Sequence, residues 1–189
     1  MKPAWAIAPG ALAAAIALAL AAMVGDDTAA RAQLSARWTA RAAFLAFLPL
    51  YLAPALGQFH ALGAKGLAAP YRRYWGLGFA LAMFVHLAAL LVNVQVGNRV
   101  LTPFDAGGVV VYGLLAAMVA SSSEPARRRM GPWWDRLHKV GIHAIFVVFA
   151  QSYFFRLFDP DKRTAGALFG TIALVAFALR ITAWHKRRA

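Results

Sequence analysis

Cysteine is absent from the 189 residues, which removes disulfides, thiolate metal sites and thiol redox chemistry from the outset. Acid is scarce too, with seven Asp and Glu against 20 Lys and Arg. Asp26, Asp27, Asp105, Glu124, Asp135, Asp159 and Asp161 all fall in loops or at the ends of apolar runs. A proton pump or ion-coupled transporter wants an acid near the bilayer midplane, so that class is disfavoured. No inverted repeat supports a transporter either. No G-x-G-x-x-G follows a strand, so the chain carries no dinucleotide or flavin fingerprint. A reductant, if one is used, comes from a partner protein, a quinone or a separately bound flavin.

What the chain has in quantity is apolar length. It is 61% hydrophobic and only 14% charged, with a mean hydropathy of +0.59. A soluble domain averages about 45–50% apolar and 25% charged. Apolar runs of about 18–22 residues recur, enough to cross a hydrocarbon core of ~30 Å. The spacing predicts an all-α integral membrane protein, a bundle of six transmembrane helices over 5–24, 42–62, 74–95, 107–122, 138–155 and 165–184. The first run exceeds the apolar region of ~7–15 residues in a signal peptide, so it reads as an uncleaved helix. Pro49 and Pro54 predict a kink in the second. The Gly-rich fourth, GGVVVYGLLAAMV, suits close packing on a neighbour. Residues 1–189 read as a single domain, with no internal repeat, low-complexity linker or long loop.

The net charge of +13 does not point to nucleic acid, because the basic residues sit between apolar runs, where orientation signals and anionic-lipid contacts belong. Lys2, Lys65, Arg72, Arg73, Arg127, Arg128, Arg129, Arg136, Lys139, Arg180, Lys186, Arg187 and Arg188 fall on one side of the six-span arrangement. Arg31, Arg37, Arg41, Arg99, Arg156, Lys162 and Arg163 fall on the other. The positive-inside rule makes the first side, with both termini, cytoplasmic.

A chain this apolar spends polar side chains sparingly. His86 follows a dozen apolar or uncharged positions in YWGLGFALAMFVHLAALLVN. It either donates to a backbone carbonyl or serves a site. His138 opens the fifth run, and is either a solvated helix end or a ligand. His60 and His185 lie near run ends and read as bland. His143, five residues past His138, is turned about 140° from it on a helix, so the two share no face. Gln151 is the lone amide of its run. Histidines on different helices with no carboxylate nearby suit haem iron better than a hard cation.

Two stretches carry a resemblance. RRYWGLGFALAMFVH (72–86) and SSSEPARRRMGPWWDRLH (121–138) are similar to the third helix and to the loop entering the fifth helix of the ferric reductase-like transmembrane family. Within it the pattern resembles the MsrQ-type haem b membrane subunits. The match is good over roughly residues 70–155, and W-x-x-L-H together with R-R-x-x-G-L is fairly specific. The resemblance implies a multi-pass protein of the bacterial inner membrane that passes electrons towards a periplasmic acceptor, with a protein partner. It also implies ligand positions in two pairs: Arg72 with His138 on the cytoplasmic side, and His86 with Gln151 further out. Arg73 joins Arg72 as a partner for haem carboxylates. MsrQ-type members also have arginine at the first position. At Gln151 the family has histidine, so this chain departs from the pattern there.

On that register the surviving histidines cannot regroup. His86 stands fourteen residues from Arg72, about 21 Å along a helix, whereas two imidazoles sharing one iron need nitrogens ~4 Å apart. His143 lies about 13–14 Å short of His86 on the same register. The two functional readings are therefore a haem b protein with one histidine per site, and a cofactor-poor accessory subunit that keeps the helical scaffold within a larger membrane complex.

Overall fold

Backbone amides inside lipid have no water to bond, so an apolar chain of this length satisfies them within helices. The computed structural model describes residues 4–56, 69–96 and 105–186, and among them every regular element is helical. A 3₁₀ turn, Ala4–Ile7, leads into α1 (Ala8–Val24), followed by α2 (Thr28–Leu56), α3 (Ala69–Val96), α4 (Asp105–Ala120), α5 (Glu124–Met130), α6 (Pro132–Arg156) and α7 (Arg163–Lys186). His60, Lys2, Lys65, Arg99, Arg187 and Arg188, and the end of the expected second span, lie outside the described residues.

Ala4–Val24, Thr28–Leu56, Tyr71–Val96 and Arg163–Lys186 are each long and apolar enough to cross a membrane. The protein is thus a multi-pass membrane protein. Part of α4 passes the same test only jointly with α5, across a bend of 107°, so length and composition support four or five spans among the described residues where the sequence predicts six. Helix α6 has the length, 25 residues, but Lys139, His143, Gln151 and Arg156 lower its hydropathy.

Two boundaries differ informatively from expectation. Helix α2 begins at Thr28, fourteen residues before position 42, where the apolar run starts. TAARAQLSARWTARAA is rich in alanine, the best helix former. Asp27 starts it, its carboxylate accepting from the Ala30 amide at 2.7 Å, and Arg31 Nε donates to the Gly25 carbonyl at 3.0 Å. Arg31, Arg37 and Arg41 thus ride on a helix. The stretch 121–138 holds a second surprise, the short helix α5. Ser123 caps it by accepting from the Ala126 amide, and Gly131, at φ +53°, turns the chain into α6. That backbone conformation favours glycine.

Chain contacts define two compact units: Met1–Leu50 with Lys65–Thr102, and Tyr51–Ala64 with Pro103–Ala189. In the first, α1 turns a stripe of small residues (Gly10, Ala14, Ala17, Ala21) inward and leaves Leu12, Ile16, Leu20 and Met23 exposed. Gly10 faces the Gly78 backbone so closely that a Cβ on either would overlap the other helix; on Gly78 it would stand 2.6 Å from the Ile7 carbonyl. Close backbone approach at small residues is how helices gain contact in lipid, where the hydrophobic effect offers little. Phe44, Phe47, Phe79 and Met83 fill the core, with the Phe47 and Phe79 rings 5.2 Å apart. Trp75 Nε1 donates to the Ala46 carbonyl at 2.8 Å.

In the second unit, Gly141 admits the Met118 sulfur against α6, and Gly166 lets α7 abut the Tyr153–Leu157 backbone. Tyr51 and Phe146 stack in parallel at 4.2 Å, and Phe146 continues to Phe177 at 5.9 Å. Arg180 lies over the Tyr51 ring at 4.9 Å and donates to the Tyr51 carbonyl. An arginine in an apolar helix is thereby satisfied by a π-face and a backbone oxygen.

Candidate functional site

His86 sits half-buried on α3, and its Nδ1 lies 3.1 Å from the hydroxyl oxygen of Thr39 on α2, which is fully buried. A hydroxyl has a single proton. That of Thr39 points back along its own helix to the Ser35 carbonyl at 2.6 Å, with the Ala36 carbonyl more distant at 3.4 Å. A carbonyl only accepts, so the Thr39 proton is committed there. The oxygen then faces His86 as an acceptor, and Nδ1 is the donor. By this inventory of donors and acceptors the neutral imidazole is the Nδ1–H tautomer, with its lone pair on Nε2.

His138, on the first turns of α6, arrives at the same state by another route. Its Nδ1 lies 3.0 Å from the carbonyl oxygen of Trp134, one turn earlier. The carbonyl again makes Nδ1 the donor, which in the neutral ring leaves the lone pair on Nε2. The Trp134 indole stacks on the imidazole with 3.8 Å between centroids, and its Nε1 donates to the Ser121 carbonyl at 2.9 Å. The Arg127 guanidinium lies 5.0 Å over the Trp134 ring. The residues of W-x-x-L-H therefore interlock with the preceding Ser run and basic stretch.

The remaining sequence candidates are placed more simply. Arg72 and Arg73 are exposed near the start of α3, with Arg73 5.7 Å over the Tyr74 ring. Arg72 and His86 share that helix, fourteen residues or about 21 Å apart along its axis. Gln151 is exposed on α6, between the buried Phe149 and Tyr153. His143 meets the Tyr51 ring edge-on at 6.0 Å, and His185 is exposed near the end of α7. His86 belongs to the first unit, and His138 and Gln151 to the second. Among the described residues no three His, Asp or Glu side chains gather where they could hold a metal ion. The donor set is one of single imidazoles, each oriented by an oxygen acceptor. Metal-ligating histidines usually look like this: the ring nitrogen remote from the metal donates to a carbonyl or similar acceptor, fixing tautomer and orientation.

Thr39 is the contact of His86 that sequence reasoning missed. It is an inconspicuous threonine in R-W-T-A-R, 47 residues from its partner. Its one advance signal is the habit of helical Ser and Thr of bonding the carbonyl one turn back, which spends the hydroxyl proton.

The model of the family described as "ferric reductase like transmembrane component" matches residues 39–150, more than half of the chain. The chain belongs to this family. Among curated proteins it is similar to the heme-binding subunit MsrQ of protein-methionine-sulfoxide reductase from Bordetella pertussis, at 28% identity over 94 residues. The MsrQ subunits of Bordetella parapertussis and Bordetella bronchiseptica match at the same identity over the same length. The aligned stretch takes in 50% of this chain and 44% of each relative, so the chain aligns with less than half the length of the curated relatives it matches. No solved structure matches.

Proposed function

We propose that this chain is a haem b electron-transfer subunit of the bacterial inner membrane. In this reading residues 1–189 act as one six-helix transmembrane domain with cytoplasmic termini, α6 being a span despite its polar residues. Electrons pass through it towards a periplasmic acceptor on a partner protein and enter from a quinone, a flavin or a partner. The observation that carries the reading is the shared state of His86 and His138. Each has Nδ1 held by an oxygen acceptor and Nε2 bearing the lone pair that iron requires. The family and the heme-binding name of the MsrQ relatives point the same way.

Bound haem would supply a reversible one-electron iron couple. The chain's residues would do the rest. His86 and His138 would each offer Nε2 to hold the iron. Trp134, stacked on His138 and tied to Ser121, would fix that ring's plane. Arg72 and Arg73 would pair propionate carboxylates, for which a guanidinium's paired donors are well matched. The apolar helices would exclude water and hold the potential through low polarity.

The second reading, a cofactor-poor accessory subunit of a larger membrane complex, is favoured by Gln151, an exposed amide where the family has histidine. Visible spectra of the purified protein from a haem-replete host, oxidised and reduced, separate the two. The haem reading expects a b-type absorbance that is reduced in His86→Ala and in His138→Ala and retained in His185→Ala. Full haem retention in both His86→Ala and His138→Ala would overturn the ligand assignment.

A further inference from the structure

We propose that Thr39 is the positioning residue of His86: its hydroxyl, with its proton given to the Ser35 carbonyl, accepts from Nδ1 and so fixes the imidazole as an Nε2 donor. Three observations carry this. Thr39 is fully buried. Its oxygen is 2.6 Å from an atom that can only accept, and 3.1 Å from His86 Nδ1. The two bonds also reinforce each other, because a hydroxyl that donates strongly becomes a better acceptor. A free imidazole can carry its proton on either nitrogen, and only one choice leaves Nε2 able to bind a metal.

The chemical consequence reaches the iron. An Nδ1–H held by an acceptor makes Nε2 a more basic ligand, and a more basic ligand favours the oxidised metal. Thr39 therefore holds down the reduction potential of a haem on His86 as well as aiming the ring. The inference rests on the haem reading of His86, but its first test does not need haem. In the haem-free protein, ¹⁵N NMR of labelled histidine, with His86 assigned by its absence from His86→Gln, should find the proton on Nδ1. A proton on Nε2 overturns the proposal.

The second test uses the haem-loaded protein and two variants. Thr39→Val keeps the shape and removes the acceptor, whereas Thr39→Ser restores the hydroxyl. The valine variant should bind haem more weakly, on the order of 10–100-fold, as loss of such a partner does elsewhere. Its midpoint potential should rise, and the serine variant should return both quantities to native values. A haem-loaded Thr39→Val protein with native affinity and native potential overturns the inference alone. A native protein that takes up no haem overturns the haem reading, and with it the effect of Thr39 on the iron.

Discussion

Trp134 holds His138 twice, through its carbonyl oxygen 3.0 Å from Nδ1 and through its indole stacked 3.8 Å from the imidazole centroid. The first hold belongs to the backbone and survives any substitution at position 134. The second belongs to the side chain, as does the bond from Nε1 to Ser121 and the contact with Arg127. Trp134→Phe should therefore keep the stack and lose a hydrogen bond worth about 0.5–1.5 kcal/mol. Trp134→Ala should lose the stack and the cation–π contact as well, approaching ~3 kcal/mol, the low end for truncating a packed aromatic. Unfolding in mixed detergent and SDS measures both. Equal stability of the two variants would mean that the ring contacts contribute nothing.

The glycines of the R-R-x-x-G-L-G stretch differ in what surrounds them, and this gives a contrast within one motif. A Cβ on Gly78 would stand 2.6 Å from the Ile7 carbonyl, whereas a Cβ on Gly76 meets nothing within 4 Å. Gly78→Ala should force the 3₁₀ turn and α1 away from α3 at a cost of about 1–3 kcal/mol, as overpacking does. Gly76→Ala should be neutral or stabilise by up to ~1 kcal/mol through helix propensity. Thermal unfolding in detergent distinguishes them, and a Gly78→Ala protein as stable as Gly76→Ala would contradict the packing described here.

What was legible in the sequence, and what was not, follows from the range of each signal. Apolar run length is local, and it located four of the six expected spans, those over α1, α2, α3 and α7; the family itself was legible from two motif-bearing stretches. The start of α2 was hidden because Arg31, Arg37 and Arg41 resemble loop charges, although Asp27 caps an alanine-rich helix through them. Helix α5 was hidden inside a polar stretch too short to show periodicity. The Thr39–His86 pair was out of reach altogether. Forty-seven residues separate the two, and one threonine in a helix announces no partner. Motif spacing singled out His86 and His138 as candidates, while the donor role of Nδ1 needed the acceptors on a neighbouring hydroxyl and carbonyl.

Membrane orientation can be tested cleanly because the native chain has no cysteine. Arg128 and Asp161 are both exposed. The positive-inside rule puts position 128 in the cytoplasm and 161 outside. An impermeant maleimide applied to intact spheroplasts should label Asp161→Cys and spare Arg128→Cys, and inside-out vesicles should reverse the pattern. Labelling of Arg128→Cys from the periplasmic side would invert the topology, and with it the direction proposed for electron flow.

Gln151 offers the sharpest test of function, because the sequence resemblance expects histidine at that position. An amide is a poor iron ligand beside imidazole, the usual donor in b-type sites. If the native protein holds a haem on His86, the side that the family gives to histidine should be open or water-bound, with a high-spin spectrum. Such an iron should take up small ligands such as carbon monoxide or cyanide, which a closed electron-transfer haem excludes. Gln151→His supplies the histidine that the resemblance expects and should convert the spectrum to low-spin bis-imidazole, with ligand binding suppressed. The exposure of Gln151 makes the substitution structurally mild, so failure to fold is not the expected outcome. A low-spin native spectrum unchanged by Gln151→His would mean that position 151 does not face the iron. If neither the native protein nor the variant takes up haem under haem-replete expression, the electron-transfer reading falls, and the chain is a cofactor-free scaffold whose Gln151 serves a neighbouring helix or the lipid interface.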